Sequence, residues 1–168
     1  TRSLKIVECS RNELLANTFG RQYFRVILQG RIKIVAVTED GEEVVFDILS
    51  SNEFFGEESL FGGESHEAIT MNKVMIAQFW PEDIKNFMDT KSPQSAVFMS
   101  KIANDLNRRL YSMRSRNHFV NLDDRVIALL REMSNLFGLD YRYGKIIYIN
   151  IKDIAGMIGA QTETVSRI

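Results

Sequence analysis

The residues best placed to do chemistry lie in the stretch Asn150 to Ile168, N-I-K-D-I-A-G-M-I-G-A-Q-T-E-T-V-S-R-I. Thr162, Glu163, Ser166 and Arg167 recur there every three to four residues, which puts a carboxylate, hydroxyls and a guanidinium on one outward helical face. No nucleophile–base or acid–base set accompanies them. The one cysteine, Cys9, and the two histidines, His66 and His118, stand far apart in the sequence with no recognised motif around them. A polar helix face of this kind suits reading base edges in a DNA major groove, not bond making.

Such a face needs a helix behind it. Lys152 to Ile158 supplies the pattern, with Ile154, Ala155 and Ile158 on one side and Asn150 with Asp153 as a capping-box-like start. Gly159 permits the tight turn between the two helices, and Val165 and Ile168 are expected to point back at the first. A helix pair joined at glycine, with a polar second helix, is the helix-turn-helix signature. An ordinary buried helical hairpin is the alternative.

The chain has 168 residues, 45% of them hydrophobic, enough for one large or two small domains with real cores. No run of about 18 apolar residues and no secretory leader pattern occurs. A single cysteine leaves no disulfide framework, no cysteine zinc site and no four-cysteine iron–sulfur set. A cytoplasmic protein is the plain expectation. The net charge of −1 hides an asymmetry: residues 1–95 carry 10 Lys and Arg against 15 Asp and Glu, residues 96–168 carry 11 against 7. A net of −5 followed by +4 assigns phosphate binding to the C-terminal half.

Residues 5–80 read as strands. Tyr23 to Val37 is β-branched and aromatic with a turn at Gln29-Gly30, and Thr38 to Glu42 is a hairpin loop with Glu43 to Leu49 as its return strand. Phe54 to Gly63 reads as a Gly-rich acidic loop, Ile69 to Trp80 as a strand, and Pro81 as a helix start. Short strands with regular turns predict a small β-barrel or β-roll. From Ser95 to about Asn117, Met99, Ile102, Ala103, Leu106, Leu110 and Met113 form the narrow stripe of a long amphipathic helix, suited to a partner helix as well as to its own domain. Asn121 caps a further helix with Val126, Ile127, Leu130, Met133 and Phe137 inward, and Gly138 ends it at a left-handed position. Lys145 to Ile149 is a short strand, and Phe119 to Asn121 a hinge.

This order resembles the Crp/Fnr family of bacterial transcription regulators from about Leu14 onward. The most specific pieces are the G-A-Q-T-E-T-V-S-R stretch reaching Arg167 and F-F-G-E-E-S-L-F from Phe54 to Phe61; Arg108-Arg109-Leu110 also matches. The resemblance implies an α+β fold: an N-terminal β-roll (a cyclic-nucleotide-binding-like jelly roll) over 1–94, a long dimerisation helix and hinge over 95–120, and a winged helix-turn-helix domain over 121–168. It also implies that a C-terminal segment follows Ile168. The stretch from Arg109 to Arg125 is a few residues shorter than the family pattern.

The resemblance implies further that Glu163, Ser166 and Arg167 reach base edges. An arginine forks onto guanine O6 and N7, and a carboxylate accepts from a cytosine amino group. The E-x-x-S-R arrangement is similar to the Fnr branch, which implies a palindrome with TTGA-type half-sites read by a homodimer. Asn150, Lys152, Gln161 and Thr164 are candidates for phosphate contacts. RNA polymerase is an implied partner. In cyclic-nucleotide members a Gly-Glu pair binds ribose and an Arg-Ser pair holds the cyclic phosphate. Gly56 and Glu57 match the first, while His66 and Glu67 stand at the second. A carboxylate beside a phosphate is repulsive, so cyclic AMP held in the usual way is disfavoured and the effector stays unknown. Met113-Arg114 also replaces the expected Thr-Ser pair. Gly56, Glu57, Ser59, Leu60, His66 and Glu67 are the effector-pocket candidates, with a plain solvated loop as the alternative for the last two. A ligand-binding module that acts on protein instead of DNA is the competing function.

Overall fold

The computed structural model describes residues 4–15, 23–37, 43–62, 66–118 and 121–168, apart from the side chains of 116 and 117. The chain divides into two compact units. One is Thr1–Ala36 with Asp47–Asn107, the other Val37–Phe46 with Arg108–Ile168.

In the first unit, alternating apolar residues build two sheets. Strands β1 (Lys5–Cys9), β2 (Phe24–Gln29), β5 (Phe54–Phe55) and β7 (Val74–Phe79) order as β1-β7-β2-β5; β3 (Ile32–Val37), β4 (Glu43–Leu49) and β6 (Glu67–Thr70) order as β4-β3-β6. Ile27, Ile32, Leu49, Phe55, Ala68, Val74 and Ile76 pack into one core, and burying each of the larger side chains stabilises by about 1.5–3 kcal/mol. The other face of β2 meets helices α1 (Glu58–Phe61), α2 (Pro81–Asp89) and α3 (Pro93–His118) through Phe24, Phe54, Leu60, Ile84 and Ile102. Of the expected helix stripe, Ile102 is therefore buried within this unit and Leu106 packs against it, whereas Met99, Leu110 and Met113 stay exposed.

Two expectations for this unit are corrected. The strand expected over Ile69–Trp80 is two strands, because Asn72 turns the chain: its Oδ1 accepts from the Arg31 amide at 2.8 Å, and the Met71 amide donates to the Arg31 carbonyl at 2.9 Å. The loop expected from Phe54 contains β5, paired with β2, and then α1. The loop over Thr38–Glu42 and the hinge residues Phe119 and Val120 lie outside the described residues.

The second unit holds α4 (Leu122–Phe137), a small hairpin of β8 (Leu139–Tyr141) and β9 (Gly144–Ile146), then α5 (Ile151–Ile158) and α6 (Thr162–Val165). Its buried face comes from Val126, Leu129, Met133, Ile154, Ala155, Met157, Ile158 and Val165. The inward face of α4 is rotated from the expected one. Leu129 is fully buried and Ile127 is 46% exposed, because the buried row runs Val126, Leu129, Met133. Gly138 is not left-handed (φ −65°, ψ 132°). Glycine is required there by space, since a Cβ would meet the Ser134 carbonyl oxygen at 2.5 Å. The short strand ends at Ile146 instead of Ile149, where pairing with β8 runs out. Ile168 is 53% exposed and does not pack back on α5. No helix among the described residues is long and apolar enough to cross a membrane.

Candidate DNA-reading and effector sites

The α5–α6 pair is built locally. Asn150 Oδ1 accepts from the Asp153 amide at 2.7 Å while its Nδ2 donates to Asp153 Oδ2 at 2.7 Å, a reciprocal cap with Asp153 itself buried. Gly156, inside α5, keeps that helix close to Val45 of the same unit: a Cβ there would lie 3.1 Å from Val45 Cγ2 and 3.2 Å from the Val45 amide nitrogen. Arg125 Nη1 donates to the Ile158 carbonyl at 3.4 Å, and Ser112 Oγ hydrogen-bonds Glu132 to join α3 and α4. Gly159 then turns the chain in the left-handed region (φ 66°, ψ 44°), and the Ala160 amide donates to the Ala155 carbonyl at 3.0 Å.

Val165 is buried against this frame, which leaves Gln161, Thr162, Glu163, Thr164, Ser166 and Arg167 exposed. Regular helix ends at Val165, so Ser166 and Arg167 sit on the closing turn. The Ser166 hydroxyl donates to the Glu163 carbonyl at 3.0 Å, keeping its lone pairs outward. Lys152 is exposed on the first turn of α5, while the Asn150 side chain is committed to the cap.

The effector candidates separate into three groups. Gly56 (φ 82°) is pressed against β2: a Cβ would meet the Tyr23 carbonyl oxygen at 2.1 Å. Glu57 and Ser59 flank it half-buried, and Ser59 Oγ is covered with no hydrogen-bond partner. Leu60 faces the Phe24–Ile102 core. His66 and Glu67 are exposed, Glu67 in β6 opposite Val35.

Sequence reasoning passed over two residues at this end. Arg25 is 7% exposed, its guanidinium 5.5 Å from the Tyr23 ring and 5.5 Å from the Phe55 ring, its Nε donating to Gln78 Oε1 at 3.3 Å. Burial pulls its pKa down. Glu58 lies within its field. Burial and the Glu57 charge push the Glu58 carboxyl up, opposed by its own backbone amide, His66 and Arg25. A signal existed for Arg25: it shares strand parity with the buried Ile27, so alternation alone points it inward. Cys9 is 3% exposed and burial raises its thiol pKa, as for a small core hydrophobe.

The pattern of the cyclic nucleotide-binding domain family matches residues 7–91. The CRP-like protein Clp of Xanthomonas oryzae pv. oryzae is 25% identical over 157 residues, covering 89% of this chain and 67% of that protein. In fold the chain is similar to CLP of Xanthomonas campestris, described as a c-di-GMP responsive global regulator (TM-score 0.78, 21% identity, 98% of this chain and 84% of that one). It is also similar to a cyclic nucleotide-binding domain containing protein of Listeria monocytogenes (TM-score 0.81, 12% identity, 98% and 79%). A β-roll, a long helix and a glycine-turned helix pair thus sit in a chain that belongs to the cyclic nucleotide-binding domain family and is similar to CRP-like proteins.

Proposed function

We propose that this protein is a homodimeric, sequence-specific transcription regulator of the bacterial cytoplasm. It reads a TTGA-type palindrome through Glu163, Ser166 and Arg167 and is switched by an effector bound in the β-roll. The observation that carries the reading is the exposure of those three residues beyond Gly159, while Ile154, Ala155, Ile158 and Val165 are buried behind them. Arg167 forks onto guanine, Glu163 accepts from cytosine, and Ser166 is short enough to admit a thymine methyl. Lys152, Gln161 and Thr164 position phosphates, with Asn150 contributing through the α5 start that it caps. The exposed Met99, Leu110 and Met113, with Val97 and Tyr111 on the same helix, support pairing along α3. RNA polymerase is the proposed protein partner.

Cyclic AMP held in the usual way is disfavoured, since His66 and the Glu67 carboxylate stand where the resemblance places the phosphate clamp. One similar protein responds to c-di-GMP, so cyclic nucleotides belong in the ligand panel. Selection from random duplexes tests the DNA reading: a two-fold palindrome is expected, and Arg167→Ala is expected to lose roughly 1–3 kcal/mol and discrimination at one base pair. No enriched palindrome, or full discrimination by Arg167→Ala, overturns it.

A further inference from the structure

An open groove of about 950 Å³ lies beside α2 in the first unit, and neither the DNA reading nor the effector candidates use it. Leu4, Trp80 and Phe87 give it apolar walls, and Glu82 and Asp83 give it charge; no lysine, arginine or histidine is in its lining. The rings are held by neighbours, Trp80 at 4.9 Å from the Tyr23 ring and Phe87 edge-on to Phe98 at 5.7 Å. Leu4 and Phe87 are nonetheless exposed, apolar surface that the unit's own core leaves open. The two carboxylates also suit the positive end of α2, which accounts for their charge but not for the aromatic lining beside them.

We propose that this groove docks a basic segment of a partner protein, with a lysine or arginine held between Trp80 and the Glu82–Asp83 pair and an apolar neighbour against Leu4 and Phe87. The proposal is independent of the DNA reading. Charge complementarity selects the sign. Two carboxylates with no cation in the lining, within residues 1–95 of net charge −5, attract a cation and repel an anion. Tryptophan is also the side chain whose face best holds a lysine or arginine. Shape selects a segment over a small molecule. Pockets for small molecules enclose about 70–90% of the ligand surface, whereas Leu4, Glu82, Asn86 and Phe87 all stand exposed around this groove. The lining follows most of α2, whose nine residues span roughly 13 Å, the reach of about four extended residues.

The test titrates the full chain with the acetylated peptide amide Lys-Leu-Lys-Leu-Lys and follows the fluorescence of Trp80, the one tryptophan. A saturable change in emission is expected, and none with Glu-Leu-Glu-Leu-Glu. Glu82→Gln/Asp83→Asn is expected to weaken binding by about tenfold or more, and so is Asn86→Lys, which sets a cation in the lining. Asp123→Asn/Asp124→Asn makes the same change of net charge in the first turn of α4 and is expected to cost less than about twofold. Equal weakening by the two acidic pairs reduces the effect to general charge attraction and overturns the groove. Full affinity in Asn86→Lys, or no change in Trp80 emission, overturns it as well. Tetramethylammonium that saturates the signal at the peptide's own concentration would make this a small-cation site and overturn the protein partner.

Discussion

Of the four described glycines with positive φ, Gly56 at 82° in the first unit and Gly159 at 66° between α5 and α6 have opposite surroundings. Nothing lies within 4 Å of a Cβ built on Gly159, so the helix-pair turn needs only a backbone conformation. At Gly56 the Tyr23 carbonyl oxygen would sit 2.1 Å away, so the turn before α1 is squeezed by a strand more than thirty positions earlier. One end of the molecule is assembled by neighbours in sequence, the other by distant segments pressed together.

Alanine at each glycine separates the two cases. Gly159→Ala meets strain only, roughly 1–2 kcal/mol for a left-handed residue. Gly56→Ala adds an overpacking cost of about 1–3 kcal/mol against backbone that cannot swing aside, for about 2–5 kcal/mol in total. Trp80, the only tryptophan, packs 4.9 Å from the Tyr23 ring and reports the Gly56→Ala loss in the first unit by fluorescence in a urea titration, while far-ultraviolet circular dichroism follows Gly159→Ala in the helical second unit. Equal losses at the two sites would break the comparison.

The same contrast explains what the sequence could disclose. The Asn150 cap, the α5 register, the Gly159 turn and the outward Glu163-Ser166-Arg167 face all rest on spacings under five residues, and each is found as read. The stop of α6 at Val165 and the exposed Ile168 were not legible, because periodicity cannot say where a last turn loosens. In the first unit, the acidic turn was visible and its surroundings were not. Arg25 stands more than thirty positions from Glu58, and only the pairing of β2 with β5 and β7 brings it beneath that turn. That Leu60 packs with Phe24 and Ile102 was not legible either, because a four-residue helix carries no readable period. Phe24 and Leu60 share a core although they stand more than thirty positions apart.

A second substitution sharpens the local end. Asn150→Ala removes both arms of the reciprocal cap on α5, and the expected loss is about 1 kcal/mol, within the 0.5–2 kcal/mol range of N-cap deletions. Chemical denaturation followed by far-ultraviolet circular dichroism measures it. Asn150→Asp restores an acceptor for the Asp153 amide but sets a second carboxylate beside Asp153, so it should recover only part of the loss. Full recovery would mean that the Nδ2 arm contributes nothing.

The smallest expected effect lies at the assembled end and shows as a sign. Glu58 is pushed up from its ordinary 4.5, first by burial, so the native state holds that proton more firmly than the unfolded chain does. Its contribution is present below the ordinary carboxylate value and is lost as pH rises through the elevated native value. Glu8, on the surface of the same unit, runs the other way. Its bond to Lys73 Nζ at 2.9 Å lowers its pKa, so its contribution is present above the ordinary value and lost as pH falls. Glu58→Gln should therefore remove a stability term that weakens from about pH 4.5 upward, and Glu8→Gln one that weakens from there downward. Melting each variant beside the wild type across that range gives two difference curves of opposite slope. If the Glu58→Gln curve slopes with the Glu8→Gln one, burial does not govern Glu58, and the turn over β2 is wetter than its packing indicates.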